Sequence, residues 1–166
     1  MNKEVFKQYP ALVEAYENAP DVQAANGEML VKLIRGDISE PHEATRFFLG
    51  ANERMALVEA YVGEQSKDYQ KIEILSTVKL KPGRYELKDD ASSSVVAFYI
   101  YTVKGDPNDT SYYNIGNGVL NVKEFLNDPV RPYIKGTIEF MCKQMPIADT
   151  FMKVVAEDFW VKGDLS

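Results

Sequence analysis

The run VVAFYIYTV, residues 95–103, contains no charged residue, glycine or proline and is rich in β-branched and aromatic side chains. Such a run is too short to cross a membrane and is typical of a strand that is buried on both faces. Turn-forming residues frame it, with three serines at 92–94 before it and the sequence KGDPND at 104–109 after it. We therefore expect a central β-strand here, with a turn at each end.

Alternating segments on both sides of this strand predict an antiparallel β-sandwich over about residues 55–161. The segments 69–80 and 84–88 precede the central strand, and the segments 112–122 and 153–161 follow it. The cleanest alternation is at 134–142, where Ile138 and Phe140 share a face and Glu139 lies on the other. Consecutive strands at short spacing, separated by glycine and proline turns, favour this architecture over βαβ units.

The N-terminal segment, residues 1–27, has a different pattern and is predicted to be helical. Pro10 predicts either a kink or the start of a second helix at 10–18. A short helix with a large apolar face must dock, and we expect it to cover the tyrosine-bearing face of the central strand. The apolar residues recur at helical spacing: Val5, Phe6, Tyr9, Leu12, Val13 and Tyr16.

The predicted organisation is a single domain, with the helical segment at 1–27 followed by the antiparallel β-sandwich at 28–166. Residues 29–62 leave the choice between strands and helices open, because short apolar runs there fit both periodicities. Residues 29–36 favour a strand. The alternative fold class is therefore α+β, with a helical N-terminal third.

Composition restricts the classes of function. The 166 residues are 45% apolar and 27% charged, which is ordinary for a globular domain, and the net charge of −6 argues against a nucleic-acid partner. One cysteine excludes a disulfide framework within the chain. No run of about 18 apolar residues is present and the N-terminus lacks the apolar core of a signal peptide, so we expect a cytoplasmic protein with no membrane span, unless a leader has been removed.

The C-terminal hundred residues resemble a group of small bacterial β-sandwich proteins of unknown function, many of which are lipoproteins. The resemblance lies in PGRYEL at 82–87, the glycine-containing strand NIGNGVLNV at 114–122 and KGTIEF at 135–140, and it covers about residues 55–161. It implies a β-sandwich and no catalytic residues. The chain departs from the group because it lacks a lipoprotein leader and has a helical N-terminal segment, so a membrane anchor is not implied.

Three places carry residue types used in catalysis or metal binding. His42 is the only histidine and lies between Glu40 and Glu43, but without a second histidine a solvated surface residue is the better interpretation. Cys142 ends the apolar face of a strand, where a cysteine is usually inert, and His42 is the only candidate base for it. The oxygen-rich loop at 106–109 lacks the full calcium pattern and is better explained as a turn. We expect no catalytic residue, metal or cofactor.

Aromatic side chains give the remaining candidate site. A row of tyrosines on an open sheet face could stack sugars or contact a protein partner, although packing under the N-terminal helix explains them better. We therefore expect a non-catalytic protein that engages a protein partner, as an inhibitor, an immunity factor or a structural subunit. The alternative is a carbohydrate- or small-ligand-binding module, and a hydrolase ranks third. The possible binding face comprises Tyr99, Tyr101, Tyr112, Tyr113 and Trp160.

Overall fold

The structure is a computed structural model that describes residues 9–105, 108–144 and 150–163. Within these residues the chain forms twelve strands and one helix. The helix is α1 (Ala11–Glu17). The strands are β1 (Gln23–Glu28), β2 (Leu30–Arg35), β3 (Ile38–Glu43), β4 (Arg46–Ala51), β5 (Ala56–Val62), β6 (Tyr69–Ser76), β7 (Gly83–Leu87), β8 (Val95–Val103), β9 (Thr110–Ile115), β10 (Asn117–Leu126), β11 (Tyr133–Lys143) and β12 (Phe151–Gly163).

All twelve strands belong to one sheet that closes on itself. The hydrogen-bonded order is β1-β4-β5-β6-β8-β7-β10-β11-β12, and β1 also pairs with β12, which joins the two ends. The hairpin β2–β3 extends the sheet from β12, and β9 pairs with β8. The pairings are antiparallel except for one parallel contact between β7 and β8. The mainly-β prediction is confirmed, but the predicted sandwich is not, because the described strands form one continuous sheet.

The main hydrophobic core fills the interior of the closed sheet. Ile138 and Phe140 point into it, each with 1% of its surface exposed, as the alternation in the sequence predicted. Gly116 separates β9 from β10, and a Cβ atom there would overlap the Phe140 ring. The glycine therefore lets the chain bend while it passes close to a large core side chain.

Strand β8 is buried on both faces, as predicted, but its two faces have different partners. Tyr99 points into the interior core, whereas Phe98 and Ile100 belong to a second apolar cluster on the outside of the sheet. Leu12 of α1 packs in this second cluster. The helix therefore docks on β8, but the prediction that it covers the tyrosine-bearing face was wrong, because it covers the opposite one.

Two segments in the N-terminal part form strands that their local sequence does not favour. Residues 23–28, assigned to the helical segment, form β1, whose polar sequence becomes a strand only through pairing with β4 and β12. Residues 38–43 form β3 despite Pro41, since this strand pairs on one side only, where proline is tolerated. Residues 122–126 form the end of β10, with an irregularity in register between Val122 and Glu124. Val5 and Phe6 of the predicted helix lie outside the described residues.

Candidate functional site

Polar side chains gather at one open end of the closed sheet, where the β2–β3 hairpin extends beyond its neighbours. In the register of this hairpin, Glu40 lies opposite Leu33 and His42 lies opposite Val31. Leu33 and Val31 are both buried in the interior core. Since paired residues share a face of the sheet, Glu40 and His42 are on the inner face, and so is Arg35, two residues after Leu33. The inner face of the hairpin therefore changes from apolar to charged and polar side chains toward this end.

Arg35 is the centre of this group, which we call the open-end cluster (Arg35, Glu40, His42, Tyr99, Cys142 and Gln144). The Arg35 Nε–H donates to Gln144 Oε1 over 2.7 Å. Its Nη1 is 3.7 Å from Glu40 Oε2, an ion pair without a direct hydrogen bond. The Arg35 side chain is 27% exposed. A guanidinium has five N–H donors, so this half-buried cation keeps donors for a further acceptor.

Two buried groups beneath Arg35 are held in their neutral forms. Burial raises the pKa of the Tyr99 phenol well above its ordinary value, and the positive charge of Arg35 opposes that shift. Burial also raises the pKa of the Cys142 thiol to about 12, again against Arg35. Tyr99 is thus a neutral hydroxyl and Cys142 a neutral thiol at physiological pH, so the cysteine is not an activated nucleophile.

His42 is half-buried beside a single carboxylate. Its Nε2 is 3.5 Å from Glu40 Oε2, and it makes no hydrogen bond within the described residues. Glu43, its other acidic neighbour in sequence, lies on the opposite face of β3 because side chains alternate along a strand. The structure therefore places His42 half-buried beside Glu40, the carboxylate that also pairs with Arg35, and not as the solvated surface residue that the sequence favoured.

An apolar side chain borders the open-end cluster. Ile38 lies opposite Arg35 in the β2–β3 register and is 63% exposed. It shares the inner face of the hairpin with Glu40, two residues further on. A molecule at this end of the sheet would therefore meet a cation, hydrogen-bonding groups and an exposed aliphatic surface together.

A second group of charges lies on the outer face of the sheet, under α1. Glu59 of β5 and Glu73 of β6 are directly opposite each other in the ladder, and Lys71 Nζ is 3.5 Å from Glu59 Oε2. Glu73 is 5% exposed, and Tyr16 of α1 lies beside it and opposes the rise of its pKa. The Tyr61 hydroxyl donates to Glu59 Oε2 over 2.9 Å. We call these residues, Tyr16, Glu59, Tyr61, Lys71 and Glu73, the sealed cluster.

Arg46 and Lys71 flank the Tyr61 ring of the sealed cluster. The guanidinium carbon of Arg46 is 4.4 Å from the ring centroid, and Lys71 Nζ is 5.4 Å from it. Cation–π contacts of this kind stabilise a ring and its cations together when water is excluded. This arrangement fixes the outer face of β4, β5 and β6, and it leaves the charges of the sealed cluster little access to solvent.

The five tyrosine and tryptophan residues predicted to form one binding face do not share a surface. Tyr99 is 2% exposed in the interior, and Tyr101 lies opposite Tyr112 on the same inner side of β8 and β9. Tyr113 is on the outer side, in an edge-to-face contact with Phe98. Trp160 is on β12, opposite Lys135. The physical reason is the strand period of two, which sends neighbouring tyrosines to opposite faces.

The structure gives little support to the oxygen-rich loop at 106–109 as a calcium site. In the loop at 106–109, Asp106 and Pro107 lie outside the described residues, and the Asp109 carboxylate is bound by Lys104 Nζ at 2.6 Å. No group of three or more histidine, cysteine, aspartate or glutamate residues that could hold a metal is present in the described part of the chain. Across residues 9–105, 108–144 and 150–163, no helix is long and apolar enough to cross a membrane.

Arg35 and Gln144 are the residues that sequence reasoning missed. Arg35 had a detectable signal, because it occupies the position after Val31 and Leu33 on an apolar face, where a charge needs an explanation. No sequence pattern pointed to Gln144, since its contact with Arg35 depends on the fold that brings the end of β11 beside β2.

Comparisons with known proteins found no match for this chain. The chain matches no family model, no curated protein and no solved structure. The chemistry of its sites therefore has to be inferred from their geometry.

Proposed function

We propose that this protein is a non-catalytic binding protein whose open-end cluster takes a small carboxylic acid with an apolar body. The observation that carries the proposal is the position of Arg35. It is a half-buried guanidinium on the inner face, with one hydrogen bond to the neutral Gln144 and a loose ion pair to Glu40. Arginine binds carboxylates through two parallel hydrogen bonds, and its remaining donors allow this geometry.

The charge of the cluster favours a monoanion. Arg35 contributes one positive charge and Glu40 one negative charge, and the whole chain carries −6. A dianion such as a phosphate monoester would meet more repulsion than a carboxylate from this surrounding negative charge. A carboxylate can displace the loose contact between Arg35 and Glu40, while the exposed Ile38 side chain offers an apolar contact for the rest of the ligand.

Binding is favoured over catalysis because the groups beside Arg35 lack an activated nucleophile. The Cys142 thiol has a pKa of about 12 and the pKa of Tyr99 is also raised, so both are protonated at neutral pH. Within the described residues, His42 is paired with a single carboxylate, that of Glu40. Neutral hydroxyl, thiol and amide groups orient a ligand without reacting with it.

Calorimetric titration with hexanoate tests the proposal. The wild-type protein should bind hexanoate, bind acetate more weakly and not bind hexan-1-ol, which has the chain without the charge. Arg35→Gln should lower hexanoate affinity about 10- to 100-fold, as expected for the loss of hydrogen bonds to a charged group. The matched control is Arg84→Gln, an exposed arginine on β7. Equal affinities in the two variants, or equal binding of hexan-1-ol, would contradict the proposal.

A second candidate function, the binding of a partner protein, is favoured by an exposed apolar pair on β11 and β12. Met141 and Phe151 are 43% and 58% exposed and line one groove of about 540 Å³ with Tyr113 and Lys143. Methionine and aromatic residues are enriched at protein interfaces. Affinity capture with the wild type, a Met141→Ser/Phe151→Ser variant and a Leu126→Ser control, followed by mass spectrometry, tests it. A partner lost only from the double variant supports this function, and identical captures from all three argue against it.

A further inference from the structure

Helix α1 is short and packs on the sheet through Leu12 and the partly buried Ala15 and Tyr16. It has seven residues, and Pro10 at its start provides no side-chain capping hydrogen bond. Leu12 is its one buried residue. Such a short helix is not stable alone in water, so its position depends on the surface beneath it. A change in that surface is therefore enough to shift the balance between docked and undocked α1.

The surface beneath α1 brings two carboxylates together next to one lysine. Glu59 and Glu73 face each other across β5 and β6, and Lys71 is the cation between them. Tyr16 of α1 lies next to Glu73 and is the helix residue closest to the carboxylates in its effect on their charge. The other groups on this face are Tyr61 of β5, Tyr113 of β9 and Arg46 of β4, and Arg46 is stacked on Tyr61. Two neighbouring carboxylates with one cation do not both ionise freely in a buried place.

We propose that α1 is a proton-controlled cover, closed over the β5–β6–β8 face when Glu73 is protonated and loosened when Glu73 is ionised. The groups act together: protonation removes the repulsion between Glu73 and Glu59, and the Tyr16 hydroxyl keeps its contact with the neutral acid. Ionisation restores the repulsion in a place that α1 shields from water. Opening the cover admits water to the carboxylates and exposes the apolar residues Phe98 and Ile100.

The direction of the pH dependence follows from the cause of the shift. Burial, and secondarily the charge of Glu59, raise the pKa of Glu73, while Lys71 and Tyr16 oppose the rise. With α1 undocked, Glu73 is hydrated and its pKa returns toward the ordinary value, so the docked form binds the proton more tightly. Docking is therefore strongest at acid pH and weakens as the pH rises through the window above the ordinary glutamate pKa. Tyr61, with a pKa of about 12, titrates far above this window.

Hydrogen exchange at the backbone amides of residues 11–19 tests the proposal. After correction for intrinsic exchange rates, the opening constant of these amides should rise as the pH increases above the ordinary glutamate pKa, by at most about tenfold per pH unit, the limit for one proton. Amides of β8 should stay protected over the same range, which separates local opening from global unfolding. This comparison uses the wild-type protein and stands even where a variant fails to fold.

Two variants locate the responsible proton. Glu73→Gln should remove the pH dependence at α1 and keep the helix docked at neutral pH, because the amide mimics the protonated acid. Glu86→Gln, on the exposed outer side of β7, should keep the wild-type pH dependence. The proposal is overturned if the wild-type α1 amides show no pH dependence after correction, or if Glu73→Gln retains it in full.

Discussion

The open-end cluster and the sealed cluster are built from the same residue types but differ in access to water. Each combines a cation, glutamate and tyrosine. At the open end, Arg35 and Glu40 are 27% and 53% exposed and 3.7 Å apart. In the sealed cluster, Lys71 and Glu59 are 17% and 13% exposed and 3.5 Å apart. The comparison shows one ion pair that is loose and partly solvated and one that is largely buried, and it is the first kind that our proposal assigns to ligand binding.

Removing the cation from each cluster should give the largest difference in stability between the two clusters. Lys71→Met removes the cation that contacts Glu59 beside the buried Glu73, so the free energy of unfolding should fall by about 3–5 kcal/mol at neutral pH. Arg35→Met removes a partly exposed pair and should cost less than about 1 kcal/mol. Urea unfolding of both variants measures the two losses. Equal losses would mean that the two clusters do not differ in the way described.

Removing a tyrosine hydroxyl from each cluster should give a smaller difference in stability. Tyr61→Phe deletes the hydrogen bond to Glu59 and should cost about 0.5–1.5 kcal/mol. Tyr99→Phe should change stability by less than about 0.5 kcal/mol, since its hydroxyl has no hydrogen-bond partner among the described residues. Thermal unfolding resolves these differences. A larger loss for Tyr99→Phe than for Tyr61→Phe would show that the Tyr99 hydroxyl stabilises the fold.

The sequence predicted the strands correctly where side-chain alternation was strong. Strand β8 coincides with the uncharged run at 95–103, and β11 with the alternation at 134–142. By contrast, β1 and β3 were missed, because Asn26 and Gly27 in one and Pro41 in the other disfavour strands locally. Closure of the sheet was also missed, since it depends on the pairing of β1 with β12, more than a hundred residues apart, which no local pattern encodes.

The candidate site was harder to predict from the sequence than the fold. The sequence identified His42 and Cys142 as residues to consider, but it offered no reason to place them near Arg35. The link is made by the register of β2 with β3 and with β12, which orients Arg35 toward the end of β11. The five aromatic residues of the possible binding face are separated for a related reason, because strand alternation and pairing send Tyr113 to the outer side while Tyr99 and Tyr101 face inward. Where several distant strands meet, register determines which side chains form a site.

The most direct test of the account is nuclear magnetic resonance of the ¹⁵N-labelled protein during addition of hexanoate. The account predicts that the largest shifts occur at the Arg35 side-chain Nε–H and the Gln144 side-chain amide, with the backbone amides of Lys71 and Glu73 unchanged. Shifts centred on the sealed cluster or on Arg84, with the Arg35 Nε–H signal unmoved at saturating hexanoate, would contradict the claim that the open end of the sheet is the ligand site.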